Sequence, residues 1–206
     1  MTIPATNIPI IVLAAGQSSR MRGADKLLEK VDGEPLLRRQ AKLARRVTSG
    51  EVLIALPPAP HPRHDAIRDL DVTIVEIQGA EEGMNASIRQ SFAQVTEQAA
   101  AAMLLLCDLP DLQEDDLRSV IYAYDNQKEM LVWRGATKEF RGGHPIIFSR
   151  DLFADIARLR GDDGARGVVA EAKGKIALVK LPGNRARADL DTPEDWAKWR
   201  ARNIET

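Results

Sequence analysis

The side chains whose types and spacing could do chemistry fall in three short stretches. In the first, an apolar run, Ile8-Pro9-Ile10-Ile11-Val12-Leu13, empties into Ala14-Ala15-Gly16-Gln17-Ser18-Ser19-Arg20-Met21-Arg22-Gly23-Ala24-Asp25-Lys26. Small residues at Ala14, Ala15 and Gly16 let backbone N–H groups approach an anion closely. Ser18 and Ser19 add hydroxyl donors, and Arg20 and Lys26 bring fixed positive charge. That combination suits a nucleoside triphosphate. It is not the P-loop G-x-x-x-x-G-K-[ST], because Leu27 follows Lys26 where a metal-binding Ser or Thr would stand, and it is not G-x-G-x-x-G. The second stretch is Cys107-Asp108-Leu109-Pro110, at the end of the apolar run Met103 to Leu106. A carboxylate leaving a buried strand can hold Mg2+ against a triphosphate, while Asp and Pro so placed equally well open a turn. Cys107 itself reads as a small buried hydrophobe closing the strand. The third stretch, Ala188-Asp189-Leu190-Asp191-Thr192-Pro193-Glu194-Asp195, reads as a helix start: Thr192 can cap, Pro193 can take the first helical position, and the acids lie near the positive end of the dipole.

Two further regions set polar side chains among glycines. Glu82-Gly83-Met84-Asn85-Ala86-Ser87-Ile88-Arg89 joins a loop to an amphipathic helix and offers backbone donors and the Ser87 hydroxyl near a helix N-terminus. Gly142-Gly143-His144-Pro145-Ile146-Ile147-Phe148 and Gly161-Asp162-Asp163-Gly164-Ala165-Arg166 add a histidine and an arginine. By residue type alone His144 is structural and Arg166 solvated. Asp163 is an extra carboxylate that must turn away from an anionic ligand or bind a cation. His61 and His64 have no cysteine or acidic neighbour at metal-ligand spacing, so no zinc site is expected there.

These residues need a scaffold, and the chain supplies one by alternation. Short β-branched runs at 51–56, 72–77, 102–107, 129–133 and 176–179 read as strands, several of them apolar on both faces as in a covered parallel sheet. Between them, Leu117, Val120, Ile121 and Tyr124 recur at helical spacing, as do Ile88, Ser91, Phe92 and Val95. Leu37, Ala41 and Ala44 form a third stripe on a helix begun near Pro35, whose other faces carry Arg38, Arg39, Lys42, Arg45 and Arg46; that basic run reads as a solvated face. Pro57 to Pro62 reads as a stiff loop. The expectation is one domain over residues 1–206, a three-layer α/β sheet with helices on both sides and its ligands beyond the carboxyl ends of the strands.

The run L-A-A-G-x-S-x-R-M with a lysine six residues after the arginine resembles the signature of nucleotidyltransferases, and within them the molybdenum cofactor nucleotidyltransferase family. G-M-N-A-S-I-R, C-D-x-P, G-H-P, G-D-x-G-A-R and T-P-E-D follow in that family's order, so the resemblance runs from Ile10 to about Trp199. It implies a Rossmann-like α/β/α nucleotidyltransferase fold with a mostly parallel sheet. It implies that Leu13, Ala14, Ala15, Gly16, Gly83, Met84 and Ser87 contact the nucleotide, and that His144 and Arg166 border the pterin phosphate. Lys26, Arg20 and Asp108 would be catalytic, with Mg2+ held by Asp108 and by Asp191, preferred to Asp189. Asn85 stands where the family has serine, and Arg22 where it has glycine. The second alanine of Leu13-Ala14-Ala15-Gly16 resembles the cytidylyltransferase branch, whereas the GTP-using branch reads L-A-G-G. The implied reaction is transfer of a cytidylyl group from CTP to the terminal phosphate of molybdopterin with release of pyrophosphate, and a recipient molybdenum enzyme is an implied partner. The alternatives are a GTP-using enzyme, a non-catalytic molybdenum cofactor carrier, and a nucleotidyltransferase for another small phosphate.

Composition bounds the function without choosing it. The 206 residues, 44% hydrophobic and 29% charged, are those of an ordinary globular chain. Lys plus Arg at 29 against Asp plus Glu at 30 gives a formal charge of −1, with no general attraction to nucleic acid or an anionic membrane. The single cysteine excludes an intrachain disulfide framework and fits a reducing cytoplasm, where the protein is expected to reside. The N-terminus carries no basic leader pattern and no run reaches the length of a membrane span.

Overall fold

The structure, a computed structural model, describes residues 6–204. Strand β1 (Ile10–Leu13) is buried along its whole length. Side-chain alternation sends Ile10 and Val12 into one hydrophobic cluster and Ile11 and Leu13 into another on the opposite face. β1 lies between β4 (Val52–Leu56) and β6 (Ala101–Leu106), parallel to both, and β5 (Thr73–Glu76) pairs in parallel beyond β4. Past β6, β8 (Gly142–Ser149) runs antiparallel to both β6 and β7 (Val132–Ala136), and β7 pairs in parallel with β9 (Ile176–Lys180). The order across the seven-stranded sheet is β5-β4-β1-β6-β8-β7-β9. A separate hairpin, β2 (Lys30–Val31) with β3 (Glu34–Pro35), turns at Asp32 and Gly33.

Helices cover both faces. Those of α1 (Leu36–Val47), α4 (Glu114–Asn126) and α7 (Pro193–Ile204) pack Leu37, Ala41, Leu117, Val120 and Trp196 against the Ile10 and Val12 side. Those of α3 (Met84–Phe92), α5 (Phe153–Ile156) and α6 (Arg166–Glu171) pack Ile88, Phe92, Ile156 and Val168 against the Ile11 and Leu13 side. The short α2 (Pro62–Ile67) follows β4 and buries Ile67. This is the three-layer, mostly parallel fold expected. The chain leaves β1 for β4 and β5 on one side and returns to β6 on the other, so the topological switch point lies between the carboxyl ends of β1 and β6. Ala14 follows the first end directly, and Asp108 follows the second after Cys107.

Local structure departs from expectation in four places. β8 is a central strand that is not among the strands expected from the sequence. Its Gly142, Gly143 and Pro145 disfavour a strand locally, while Ile147 and Phe148 are wholly buried and the ladder to β7 shifts register between Arg134 and Ala136. β7 begins three residues after the expected run, because Arg134, Gly135 and Ala136 carry little strand signal and are held by β8 and β9 instead. α3 ends at Phe92, leaving Val95 buried in the following turn. The basic side chains of α1 are paired: Arg38 with Asp69 and Glu34, Lys42 with Glu34, Arg45 with the carbonyls of Thr48 and Gly50, and Arg46 with Glu114, while Arg39 donates to the Pro110 carbonyl at 2.6 Å. A long basic stem on a helix flank finds acids on neighbouring elements, which helical spacing alone does not reveal.

Candidate active site

The loop after β1 is braced from below. Residues Ser19–Met21 form a 3-10 turn bracketed by Ser18 and Arg22, both left-handed with φ of 53° and 54°. Such conformations are uncommon in residues with side chains and persist only where the surroundings enforce them. The enforcing group is Arg63 of α2, only 2% exposed. Its guanidinium donates to both Asp25 carboxylate oxygens at 2.8 Å, to the Ala14 carbonyl at 2.6 Å and to Ser18 Oγ at 3.1 Å. Asp25 Oδ1 also accepts the Leu27 N–H at 3.0 Å, and Ser18 Oγ accepts the Lys26 N–H at 3.3 Å. Burial opposes charge on Asp25, but the hydrogen bonds and the charge of Arg63 prevail and hold its pKa below the ordinary value. The fork geometry of a guanidinium is what allows one residue to tie both ends of the loop. The sequence gives no signal for this: Arg63 stands alone in a proline-rich segment.

Lys26 reaches from this loop across to the ends of β6 and of the segment before α7. Its ammonium donates to Asp108 Oδ2 at 2.5 Å and to Asp191 Oδ1 at 2.7 Å, and Arg20 pairs with Asp191 Oδ2 at 2.8 Å. Burial works against its charge, yet the Asp108 and Asp191 carboxylates outweigh it and raise the pKa of Lys26 above the ordinary lysine value. The side chain is only 14% exposed, so the loop carries a largely buried cation and not a solvated one. Asp191 loses some stability of its charge to burial and regains more from Lys26 and Arg20, ending below the ordinary carboxylate pKa. Asp189 moves the other way, raised first by desolvation and then by the charges of Asp108 and Asp191. Asp191 therefore takes the cations and Asp189 does not. Thr192 and Asp195 form a reciprocal cap at the start of α7, with the Asp195 N–H donating to Thr192 Oγ1 at 3.1 Å and the Thr192 N–H to Asp195 Oδ2 at 3.0 Å.

Two chambers meet at Lys26. One, of about 390 Å³, is lined by Leu13, Ala14, Ala15, Gly16, Gly83, Met84 and Ser87. The other, of about 410 Å³, is lined by His144, Arg166, Arg134 and Arg187. Arg20, Lys26, Asp108, Asp162 and Asp191 belong to both walls. Every residue singled out in the sequence as a candidate thus lines one chamber or the other. Arg134 and Arg187 were not singled out, since neither falls in a motif. A larger cleft of about 1200 Å³, between Arg39, Trp199 and Arg202, lies behind Asp189 and holds neither Lys26 nor Asp108.

Smaller questions resolve in the same geometry. Arg22 pairs with Glu194 at 2.5 Å and so tethers the loop to α7. Asn85 donates its side-chain amide to the Arg160 carbonyl at 2.6 Å, and Asp162 accepts the Met84 N–H at 2.7 Å, so the start of α3 is clasped to the 160–162 turn. His61 caps α2, where its Nδ1 accepts the Arg63 N–H, and His64 bonds the Pro57 carbonyl through Nε2. His144 lies against the Leu104 carbonyl; burial, then the nearby Arg134 and Arg187, pull its pKa down to about 4, so the ring is neutral near pH 7.

A loop of small and basic residues at a topological switch point, and a lysine shared by Asp108 beyond β6 and Asp191 before α7 where two chambers meet, suit a nucleotidyltransferase. The MobA-like NTP transferase domain matches residues 10–176, and the chain belongs to that family. A protein of Trichormus variabilis named probable molybdenum cofactor guanylyltransferase is 35% identical over 193 residues, 93% of this chain and 89% of that one. The purine catabolism protein PucB of Bacillus subtilis is 27% identical over 195 residues, 90% of this chain and 92% of its own. Among solved structures, Rv0371c from Mycobacterium tuberculosis matches with a TM-score of 0.81 at 28% identity, over 95% of this chain and 98% of that one. The same protein in complex with manganese matches with a TM-score of 0.78 at 25% identity, over 94% and 97% of the two chains.

Proposed function

We propose that this nucleotidyltransferase moves a cytidylyl group from CTP to the terminal phosphate of molybdopterin. The observation that carries the reading is Lys26, fixed between Asp108 and Asp191 in the wall that the two chambers share. CTP occupies the chamber beside the loop after β1, with its triphosphate against the loop N–H groups, Arg20 and Lys26. Molybdopterin occupies the chamber beside His144 and Arg166. A terminal phosphate oxygen of the pterin attacks the α-phosphorus of CTP in line; the bond from that phosphorus to the α,β-bridging oxygen breaks, and pyrophosphate leaves. The attacking oxygen is already anionic, so no general base is required, and positioning with charge neutralisation supplies the catalysis.

The residues fit a divalent cation. Asp108 Oδ1 is buried without a hydrogen-bond partner, while Oδ2 is taken by Lys26. Among the described residues no three acidic, histidine or cysteine side chains close on one point; Mg2+ is commonly held by one or two carboxylates with phosphate oxygens and water completing its shell. Asp108 and Asp191 would hold it, and when bound it would withdraw charge from the phosphate oxygens. The manganese complex of the Mycobacterium tuberculosis relative supports divalent metal use.

CTP is preferred to GTP because the second alanine of Leu13-Ala14-Ala15-Gly16 resembles the cytidylyltransferase branch, where the GTP-using branch has glycine. The Trichormus variabilis relative favours GTP as the second reading. Magnesium-dependent pyrophosphate release, measured with each nucleoside triphosphate in turn and with and without molybdopterin, decides between them. Release from CTP that requires molybdopterin is expected. Release from GTP alone would overturn the choice of base, and molybdopterin binding without release from any triphosphate would make the protein a carrier. The reading places the protein in the cytoplasm with its substrates; among the described residues no helix is long and apolar enough to cross a membrane.

A further inference from the structure

The second chamber holds an uneven distribution of charge. Lys26 and Arg20 have carboxylate partners, but among the described residues Arg134, Arg166 and Arg187 of the same wall form no ion pair. Among those residues Arg134 bonds the Gly143 carbonyl, through Nε at 3.3 Å and Nη2 at 3.2 Å, and Arg187 the Gly142 carbonyl, through Nη1 at 2.9 Å. Arg166 has no side-chain partner among the described residues. The acids of that wall, Asp162, Asp163 and Asp189, form no ion pair with these guanidiniums among the described residues; Asp162 Oδ1 accepts the Met84 N–H, and Asp163 is exposed. The three guanidiniums stand close enough for Arg166 and Arg187 to disfavour the charge on half-buried Arg134, after the effect of its burial.

The backbone is built to keep them there. A Cβ on Gly142 would lie 2.7 Å from Arg134 Nε, and one on Gly143 would lie 2.1 Å from the Ala186 carbonyl oxygen and 2.8 Å from Arg187 Cγ. The glycine pair at the start of β8 therefore seats two arginine side chains against the strand instead of making room for a ligand directly. Guanidiniums without ion-pair partners and with free N–H groups around one chamber are complementary to a dianion with several acceptor oxygens.

We propose that Arg134 and Arg187, seated by Gly142 and Gly143 and joined by Arg166, form a clamp for a phosphate monoester, the acceptor of the transfer reaction. The assignment of the monoester as acceptor rests on the proposed function; the clamp itself does not. Inorganic phosphate is the probe, titrated by isothermal calorimetry into the wild type and into Arg134→Gln, Arg187→Gln and Lys26→Ala. Loss of one charge-assisted contact weakens binding by about tenfold or more. The clamp predicts that loss in both arginine variants and little change in Lys26→Ala. Phosphate binding that survives both arginine substitutions and fails in Lys26→Ala would put the anion in the loop after β1 and overturn the clamp, as would no phosphate binding at millimolar concentration. Arg187 is exposed, so its variant carries the test if Arg134→Gln fails to fold; Arg134→Lys, which keeps the charge without the fork, gives an intermediate loss. In the transfer assay the clamp predicts that Arg187→Gln raises KM for the acceptor and leaves KM for the triphosphate unchanged. Arginine-dependent phosphate binding in a protein that does not modify molybdopterin would retain the clamp and reject the acceptor, whereas normal acceptor KM in both variants would reject the clamp and retain the reaction.

Discussion

On the proposed function the two chambers hold anions by opposite means. On the loop side every cation is matched: Lys26 with Asp108 and Asp191, Arg20 with Asp191, Arg63 with Asp25. On the β8 side Arg134 and Arg187 lean on carbonyls, and among the described residues neither they nor Arg166 form an ion pair. Matched charges buried at a strand end keep a fixed geometry without ligand, which suits a reacting centre that must be organised before substrate arrives. Unmatched charges nearer solvent keep their hydration and free N–H groups until an anion replaces the water, which suits binding. On the proposed function, the residues that position chemistry are ion-paired within the protein, whereas those that would recruit the acceptor keep guanidiniums without carboxylate partners.

That contrast can be broken most severely at Asp108. Asp108→Asn removes the carboxylate that Lys26 faces and the orphaned oxygen that fits a cation, and turnover is expected to fall by about 10²–10³-fold, the usual cost of losing preorganised charge stabilisation at a reacting phosphorus. Steady-state pyrophosphate release checks it, and a variant within threefold of wild type would remove Asp108 from the mechanism. Next comes Arg63→Met, which leaves Asp25 partly buried and unpaired. A loss of about 3 kcal/mol in urea unfolding is expected, with kcat/KM for the triphosphate falling about tenfold because Ser18 and Lys26 lose their brace. Arg63→Lys should recover part of the stability and little of the kcat/KM, since an ammonium cannot bridge Asp25, Ala14 and Ser18 together.

Lys26→Ala sharpens the comparison from the other side. It should raise KM for the triphosphate by about tenfold, as a lost charge-assisted contact does. It should also lower the melting temperature, because Asp108 loses its cation and Asp191 keeps only Arg20. An unchanged KM accompanied by a lower melting temperature would make Lys26 structural. The smallest effect is a pH dependence at His144. Its folded pKa of about 4 lies below the ordinary value of 6.5, so the unfolded chain takes up the proton first as pH falls. Its contribution to stability is therefore complete above pH 6.5 and is lost on descending towards pH 4. At about 1.4 kcal/mol per pH unit, discounted for the part of the ring that solvent reaches, that loss is about 1–2 kcal/mol. Urea midpoints compared at pH 7.5 and 5.0 in wild type and His144→Gln measure it, and equal pH slopes in the two would exclude the histidine.

How much of this was legible in the sequence follows the same division. The loop side is a contiguous pattern at the end of an apolar strand, so small residues, hydroxyls and two basic side chains announced it, and Asp108 stood at the end of a second apolar run. Thr192 and Pro193 marked the start of α7 by local capping chemistry, which needs no tertiary context. The three-layer sheet was legible because β1, β4 and β6 are apolar on both faces. What stayed hidden depends on long-range pairing. Arg63 lies 38 residues from Asp25, and nothing in Pro62-Arg63-His64 marks it as the brace of the loop. β8 was hidden by its own Gly142, Gly143 and Pro145, which obey a rule about isolated strands that two neighbouring strands override. Arg134 was hidden with it, since its role depends on lying across a glycine of the adjacent strand.

The central claim, that a nucleotide bound beside the loop after β1 is transferred to a phosphate held beside β8, is tested most directly by following the α-phosphate itself. CTP labelled at that phosphorus is incubated with the protein, Mg2+ and molybdopterin, and the products are separated by chromatography. The account predicts label in a cytidine dinucleotide of the pterin, with unlabelled pyrophosphate released in equal amount. Label recovered only as CTP or CMP, while the pterin is bound and unmodified, would contradict it.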